Sequence, residues 1–403
     1  MKNSITIMAT GDLVLDEPNA PFFFEPSREL LRSADLTIGQ IEVPHSYSTE
    51  TASVDVPAPP ADPENLKAAA DAGIAIATLA GNHVYDCGPQ GIAETIQFST
   101  EAGMLTTGAG MTLAEARMPA IVERGGQRIG VLDYNCVGPR ESWATSKKPG
   151  AAFVKVLTHY ELDSANPGGP PSIYSFCDPA SLEAMRSDIR SLSADVDVVI
   201  VALHKGIGHM PAEIAAYEYE VSHAAIDSGA SAVIAHHAHI MRGIEIYNGK
   251  PIFHGLGNFV TVTMALSSGD DNSPERQAWA KRRKKLFGFS PDPSMPTYAF
   301  HPESRNTAVA VIRVDASGEV TAGFVPCWID QDARPIPLAD TADGRRVADY
   351  IENITREVEL DTVFRWEGGE VRVEAAPQAS APQASAPQAS APQTSAPSAG
   401  GKP

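Results

Sequence analysis

Five times in this chain a short apolar run stops at a polar cluster, and that recurrence restricts the fold more than any other feature. Ile5–Ala9 leads into Thr10-Gly11-Asp12, Leu36–Ile38 into Gly39-Gln40-Ile41-Glu42, and Ile74–Leu79 into Gly81-Asn82-His83. Val198–Leu203 leads into His204-Lys205-Gly206, and Ser231–Ala235 into His236-His237-Ala238-His239. Runs of this length bounded by turn-forming residues are the pattern of buried strands. In an α/β sheet the carboxyl ends of parallel strands face one crevice, so the five clusters should gather there. One acid after a strand commonly caps the next helix. Five clusters of Asp, Glu, Asn and His in that position point to a site.

Between these runs lie segments with helical punctuation. Pro63–Ala72 reads as a helix closed by Gly73, and 90–103 and 179–192 read as two more. Helix and strand alternate, which predicts a largely parallel core. Asn248-Gly249, between Gly243–Tyr247 and Pro251–Phe253, is a strong hairpin signature. A second hairpin joins Ala308–Val314 to Val320–Val325. The expected fold is therefore a two-sheet α/β sandwich with antiparallel edges. The segments 139–171 and 267–302, rich in Pro, Gly and Ser, read as loops or lids over the site.

The densest cluster is Ala235–Val260, with four histidines. On an extended backbone His237 and His239 point to the same side, roughly 7 Å apart along the chain. Imidazoles so placed can share one or two metal ions.

Taken in order, the segments ATGDLVL, GQIEVP, AGNHVYDCG, LHKG and HHAHIMRGIEIYNGKPIFHGLGNFV resemble the CapA (capsule synthesis, poly-γ-glutamate synthesis) family, whose fold is that of the calcineurin-like metallophosphoesterases. HPESRNTAVAVIRV and FVPCWIDQDARP extend the likeness to about Pro337. The resemblance implies a metallophosphoesterase-type sandwich in which Asp12, Glu42, Asn82, His204, His237 and His239 hold a divalent metal (Mn, Zn, Mg or Ca). It also implies that His83 protonates a leaving group or steadies the transition state. The chain departs from that superfamily twice. The first motif has Val14 two residues after Asp12, where phosphoesterases carry a histidine, and the second supplies Glu42 in place of Asp. Loss of one ligand weakens the first metal position, so a mononuclear site, or none, is also compatible with the pattern.

His301-Pro302-Glu303-Ser304-Arg305 ends the second lid. A histidine, a carboxylate and a guanidinium so close together could supply an acid/base group, its orienter and a clamp for a substrate carboxylate. Lys205 and Arg242, beside the histidine clusters, are further candidates for holding an anionic group. Three functions remain open. One is a metal-dependent hydrolase of an amide, γ-glutamyl, lactone or phosphoester bond. Another is a peptide epimerase using Asp12 and His301 as opposed acid and base with little or no metal. The third is a non-catalytic accessory protein of polyglutamate or capsule synthesis.

The formal net charge of −19 disfavours a nucleic-acid partner. The resemblance, not the charge, implies an anionic small molecule, peptide or polyglutamate-like chain as substrate. Lys281-Arg282-Arg283-Lys284-Lys285 is the one basic run, read either as a solvated helix face or as a local anchor for such a substrate. Four widely spaced cysteines fit no zinc or redox pattern and are expected to be reduced. No apolar run reaches the length of a membrane span, and the N-terminal strand begins too early for a signal peptide, which together give a cytoplasmic expectation. The expected domain covers 1–374. From Ala375 to 403 an Ala-Pro-Gln-Ser repeat, lacking large apolar side chains, reads as a disordered tail. Oligomeric state is not legible.

Overall fold

The computed structural model describes residues 2–52, 59–161, 172–267 and 273–377. Two sheets stack face to face. The larger runs, in spatial order, Thr362–Glu367, Glu370–Ala375, Val320–Ile329, Asn306–Val314, Ile5–Leu15, Leu36–Ile41, Ile74–Thr78 and Leu105–Thr107. Its last four strands are parallel, and the hairpins on the other side are antiparallel. The smaller sheet runs Ile244–Tyr247, Lys250–Phe253, Ala232–His237, Val198–Lys205, Gln127–Asn135 and Ala120–Arg124, parallel at its centre and antiparallel at both edges.

The period-two alternation of the strands builds the layers. Ile5, Ile7 and Ala9 face the core between the sheets, where they meet Ile200, Ile234 and Ile312. Met8, of opposite parity, faces the other side and packs with Phe24 and Leu66 beneath the helices. On the outer face of the smaller sheet Val199, Val201 and Val233 meet Leu182, Met185 and Ile189 of the helix Pro179–Ser193. Each fully buried Ile, Leu or Phe contributes about 1.5–3 kcal/mol, so the sandwich is held by three apolar layers. All four cysteines are buried and unpaired.

The central strand carries a break that matters for the site. Residues 5–9 pair antiparallel with 310–314, and Asp12–Leu15 pair in parallel with the Asn258–Val262 strand. The register shifts between Ala9 and Asp12. The strand therefore does not end at Asp12, as expected, but continues to Leu15. Gly11 permits this crossing: a Cβ there would lie 2.2 Å from the Gly257 carbonyl oxygen.

The expected helices occur at Asn65–Ala72, Gly88–Glu101 and Pro179–Ser193, and Gly73 takes the left-handed φ of 112°. Asn248 and Gly249 both have positive φ in the expected hairpin. Two loop expectations are corrected. Within 139–171, Val156–Glu161 forms a hairpin with Ser172–Cys177. Within 267–302, Pro274–Phe287 is a helix that carries the basic run. Its Ala, Gln, Arg and Lys content favours helix without any apolar periodicity to announce it. The closing helix Ala342–Glu357 and hairpin 362–375 complete the large sheet. The expected tail, from its fourth residue onward, lies outside the described residues.

Candidate metal centre

The five polar clusters meet where the carboxyl ends of the two sheets adjoin. Asp12, Glu42, Asn82 and His83 come from the larger sheet, and His204, His237 and His239 from the smaller. Glu42 stands at the centre. Its Oε1 is 3.2 Å from His239 Nε2 and 3.8 Å from His204 Nε2. Asn82 Oδ1 lies 2.8 Å from His204 Nε2 and 3.3 Å from His237 Nδ1. The donor atoms of Glu42, His204 and His237 lie within 4.8 Å of one another, as do those of Asp12, Glu42 and His239. Glu42 belongs to both groups.

Neither His237 nor His239 keeps the extended backbone expected of them. Their φ angles are 91° and 55°, and the strand stops at His237. The turn still delivers both rings, with centroids 6.3 Å apart. His237 N–H donates to Asp12 Oδ2 at 3.1 Å, so the turn also anchors the carboxylate. Asn258 fixes His239 from behind: its Oδ1 lies 2.9 Å from Nδ1, and its Nδ2 donates to the Tyr298 hydroxyl at 3.0 Å. A carboxamide oxygen can only accept here, so the proton sits on Nδ1 and Nε2 is left facing Glu42. His236 points the other way, within 3.0 Å of the Thr10 carbonyl, and serves the core.

The electrostatics are those of charges withdrawn from water. Burial, then the neighbouring Glu42, raises the Asp12 carboxyl well above its ordinary value. Burial also opposes charge on Glu42 and His239, but each stabilises the other's ion, so Glu42 is lowered and His239 is pushed up to about 9. Burial, followed by repulsion from neighbouring imidazoles, holds His237 down at about 4 and also holds His204 well below its ordinary value.

Asp12 Oδ1 and Glu42 Oε1 are buried and make no hydrogen bond, although an unsatisfied buried carboxylate oxygen is costly. Two carboxylates, a carboxamide oxygen and three imidazoles form a donor set that fits a divalent cation. The two corners are unequal. Val14, where the superfamily pattern has histidine, lines the cleft with an apolar side chain. The Asp12/Glu42/His239 corner thus offers three donors, and the Glu42/His204/His237 corner gains Asn82 as a fourth.

Above the donors opens a cleft of about 280 Å³ whose walls include Asp16, His83, His209, Thr263, Arg283, Phe287 and Phe300. His83 Nδ1 lies 2.6 Å from Asp86 Oδ2. His209 was not singled out by sequence, although it follows His204 by five residues through two glycines. Its ring lies 5.8 Å from that of His239 at 24°, against Phe287, Phe289 and Phe300. Asp86 and Asn258 were likewise given no role. Arg283, from the basic run, reaches the cleft wall and donates to the Ala299 and Leu266 carbonyls at 2.9 and 3.3 Å.

The expected substrate clamps lie elsewhere. Lys205 and Arg242 are 0% exposed and both bind Glu218, so neither reaches the cleft. Glu303 accepts from the Tyr350 hydroxyl at 3.1 Å, and Arg305 donates to the Ile329 carbonyl and stacks on Trp328. His301 Nδ1 accepts from the Glu303 N–H at 3.1 Å, and its ring abuts Phe289. None of these three lines the cleft. Asp12 and His301 are therefore not an opposed pair: Asp12 is sealed beneath the histidines, and His301 caps the short helix Pro302–Arg305.

Several known proteins are similar to this chain. The chain is 30% identical over 209 residues to "Probable polyglutamine synthesis accessory protein" of Mycobacterium tuberculosis, covering 49% of this chain and 48% of that one. It is 25% identical over 251 residues to PGA biosynthesis protein CapA of Bacillus subtilis, covering 61% and 58%. The chain thus spans about half the length of these curated relatives. A solved structure of the calcineurin-like phosphoesterase YfkN from Bacillus subtilis superposes with a TM-score of 0.40 at 12% identity, covering 89% of this chain and all of that one. The sequence profile of the bacterial capsule synthesis protein PGA_cap matches residues 6–263, and the chain belongs to that family.

Proposed function

We propose that this chain is a metal-dependent hydrolase acting on an anionic substrate, with an amide or γ-glutamyl bond as the leading target. The observation that carries the reading is the shared Glu42: one buried carboxylate belongs to two groups of three donors, and its Oε1 has no hydrogen bond. Mixed imidazole and carboxylate donors favour Mn or Zn over Mg or Ca, which prefer all-oxygen shells. When bound, such a cation supplies Lewis acidity and water activation at neutral pH.

The chain's own groups divide the remaining work. Asp86 holds His83 by Nδ1, which presents Nε2 as the acid for a leaving group. Phe287 and Phe300, with His209, wall the cleft and exclude water. The basic helix Pro274–Phe287 offsets locally the repulsion that a −19 chain exerts on an anion. The substrate class is suggested by the names of two relatives, a probable polyglutamine synthesis accessory protein and a PGA biosynthesis protein.

Elemental analysis of the purified protein, followed by chelation and refilling with Mn or Zn during assay on γ-glutamyl peptides, tests the reading. Metal-dependent release of product is expected. Metal bound without turnover on amide, ester or phosphoester substrates would favour the accessory role that the Mycobacterium relative's name carries.

A further inference from the structure

Lys205 and Arg242 are both fully enclosed, and both reach one carboxylate. Lys205 Nζ donates to Glu218 Oε2 at 3.1 Å, and Arg242 Nη2 donates to Oε1 at 3.3 Å. Glu218 Oε1 also accepts from the Ala215 N–H at 2.9 Å. Glu218, too, is 0% exposed. Lys205 reaches Nδ1 of His254 at 3.1 Å, and His254 Nε2 lies 2.9 Å from Glu245. The network thus sets two cations against two carboxylates. Buried ion pairs are a poor source of net stability compared with apolar side chains of the same size, so the placement of this one calls for another explanation.

Position in the chain supplies it. Lys205 directly follows His204, and Arg242 closes the segment that carries His237 and His239. Further hydrogen bonds join these two segments to each other and tie the first of them to Tyr217. Arg242 Nη1 donates to the Ile207 carbonyl at 3.2 Å, the His209 N–H donates to the Ala238 carbonyl at 2.8 Å, and the Gly206 N–H donates to the Tyr217 hydroxyl at 2.8 Å. Glu218 itself sits on the helix Ala216–Asp227, which contributes nothing to the cleft wall.

We infer that Glu218 is a positioning residue of the metal centre: its carboxylate ties segments 204–209 and 237–242 together at the separation that lets His204, His237 and His239 converge on Glu42. The inference rests on the metal reading above. Glutamine at 218 has almost the same size but turns an amide N–H toward Lys205 or Arg242, donor against donor, and leaves two cations with no anion between them. One of them must withdraw, and the ligands one and three residues away move with it.

The test is titration of Mn2+ and of Zn2+ into the metal-free full chain by calorimetry, with Tm measured on the same samples. Glu218→Gln should weaken metal binding roughly 10–100-fold, the range for groups that orient metal ligands. Glu245→Gln, at the outer end of the network, should lower Tm but leave affinity within about threefold. Removing the stranded cation, in Glu218→Gln/Lys205→Met, should recover at least about threefold of the loss, as expected of coupled partners. A Glu218→Gln protein that melts earlier yet binds metal like the wild type would overturn the inference and leave only a structural role. If that variant does not fold, Glu218→Asp, which keeps the charge one methylene short, carries the same comparison, and unchanged affinity overturns the inference there too. Wild-type protein that takes up neither ion overturns the metal reading and this inference together, whereas normal wild-type uptake with an unaffected variant overturns this inference alone.

Discussion

Asp86 Oδ2 lies 2.6 Å from Nδ1 of His83, three residues earlier in the same turn. The carboxylate fixes the ring's orientation and commits the Nδ1 proton, which assigns proton exchange with substrate to Nε2. His83→Ala should therefore lower kcat by about 10²–10⁴-fold, as for loss of a general acid. Asp86→Asn should lower it less, and both variants should keep their metal. Steady-state kinetics paired with elemental analysis checks this, and full turnover in His83→Ala would remove the residue from the mechanism.

His237 and His301 should separate cleanly. His237 is a donor in the centre, so His237→Ala should lose bound metal and turnover together. His301 caps a short helix instead, so His301→Ala should cost about 1 kcal/mol, as for lost helix caps, with kcat changed less than about tenfold. Thermal melts and kinetics on the pair decide it. A large loss of kcat in a stable His301→Ala protein would place that ring in the chemistry after all.

His45 gives the protein an acid-sensitive element away from the metal centre. Burial holds its pKa down at about 4, against the favourable pull of the Val43 carbonyl, from an ordinary value of 6.5. Because the folded form resists protonation, the unfolded chain binds more protons between those values. The contribution is complete above pH 6.5 and is lost as pH falls toward 4, by on the order of 3 kcal/mol. Denaturant melts from pH 7 to 4 should show that slope added to those of His236, His237 and His254, which burial lowers alike, and His45→Phe should make the total shallower by one proton's share. Equal slopes in the two proteins would exclude His45 as its source.

Removal of residues 378–403 should leave Tm and metal content unchanged, within about 0.5 kcal/mol, because the repeat offers no large apolar side chain to bury. The cut belongs after Pro377, since Ala375 still pairs with Thr362 and the Ala376 N–H donates to the Asp361 carbonyl. A Tm drop of several degrees on truncation would contradict this.

The strand-end clusters were legible because each apolar run is short, and its terminus bears a residue type that strand interiors avoid. Asn248-Gly249 and Gly73 were legible because their backbone conformations favour few residues. Lys205 and Arg242 were misread for a physical reason. A cation beside a ligand histidine looks like a substrate clamp until its partner is known, and Glu218 comes from a separate helix 13 residues after Lys205. Glu303 and Arg305 went astray similarly, tied to Tyr350 and Trp328 across the fold. His209 was invisible because its role depends on phenylalanines 78 to 91 residues away, brought over it by a helix with no apolar stripe.

The division of donors between the two sheets has a thermodynamic consequence. An ion held by Asp12 and Glu42 on one side and by His239 on the other would span the seam of the sandwich, acting as a removable crosslink between its halves. The unfolded chain scatters these residues across more than 200 positions and cannot assemble the same set. Occupancy therefore favours the assembled sandwich by mass action, with about 2.7 kcal/mol at a free ion concentration 100 times Kd. On the metal reading, ambient metal supply shifts the folding equilibrium of the protein as well as the readiness of its cleft.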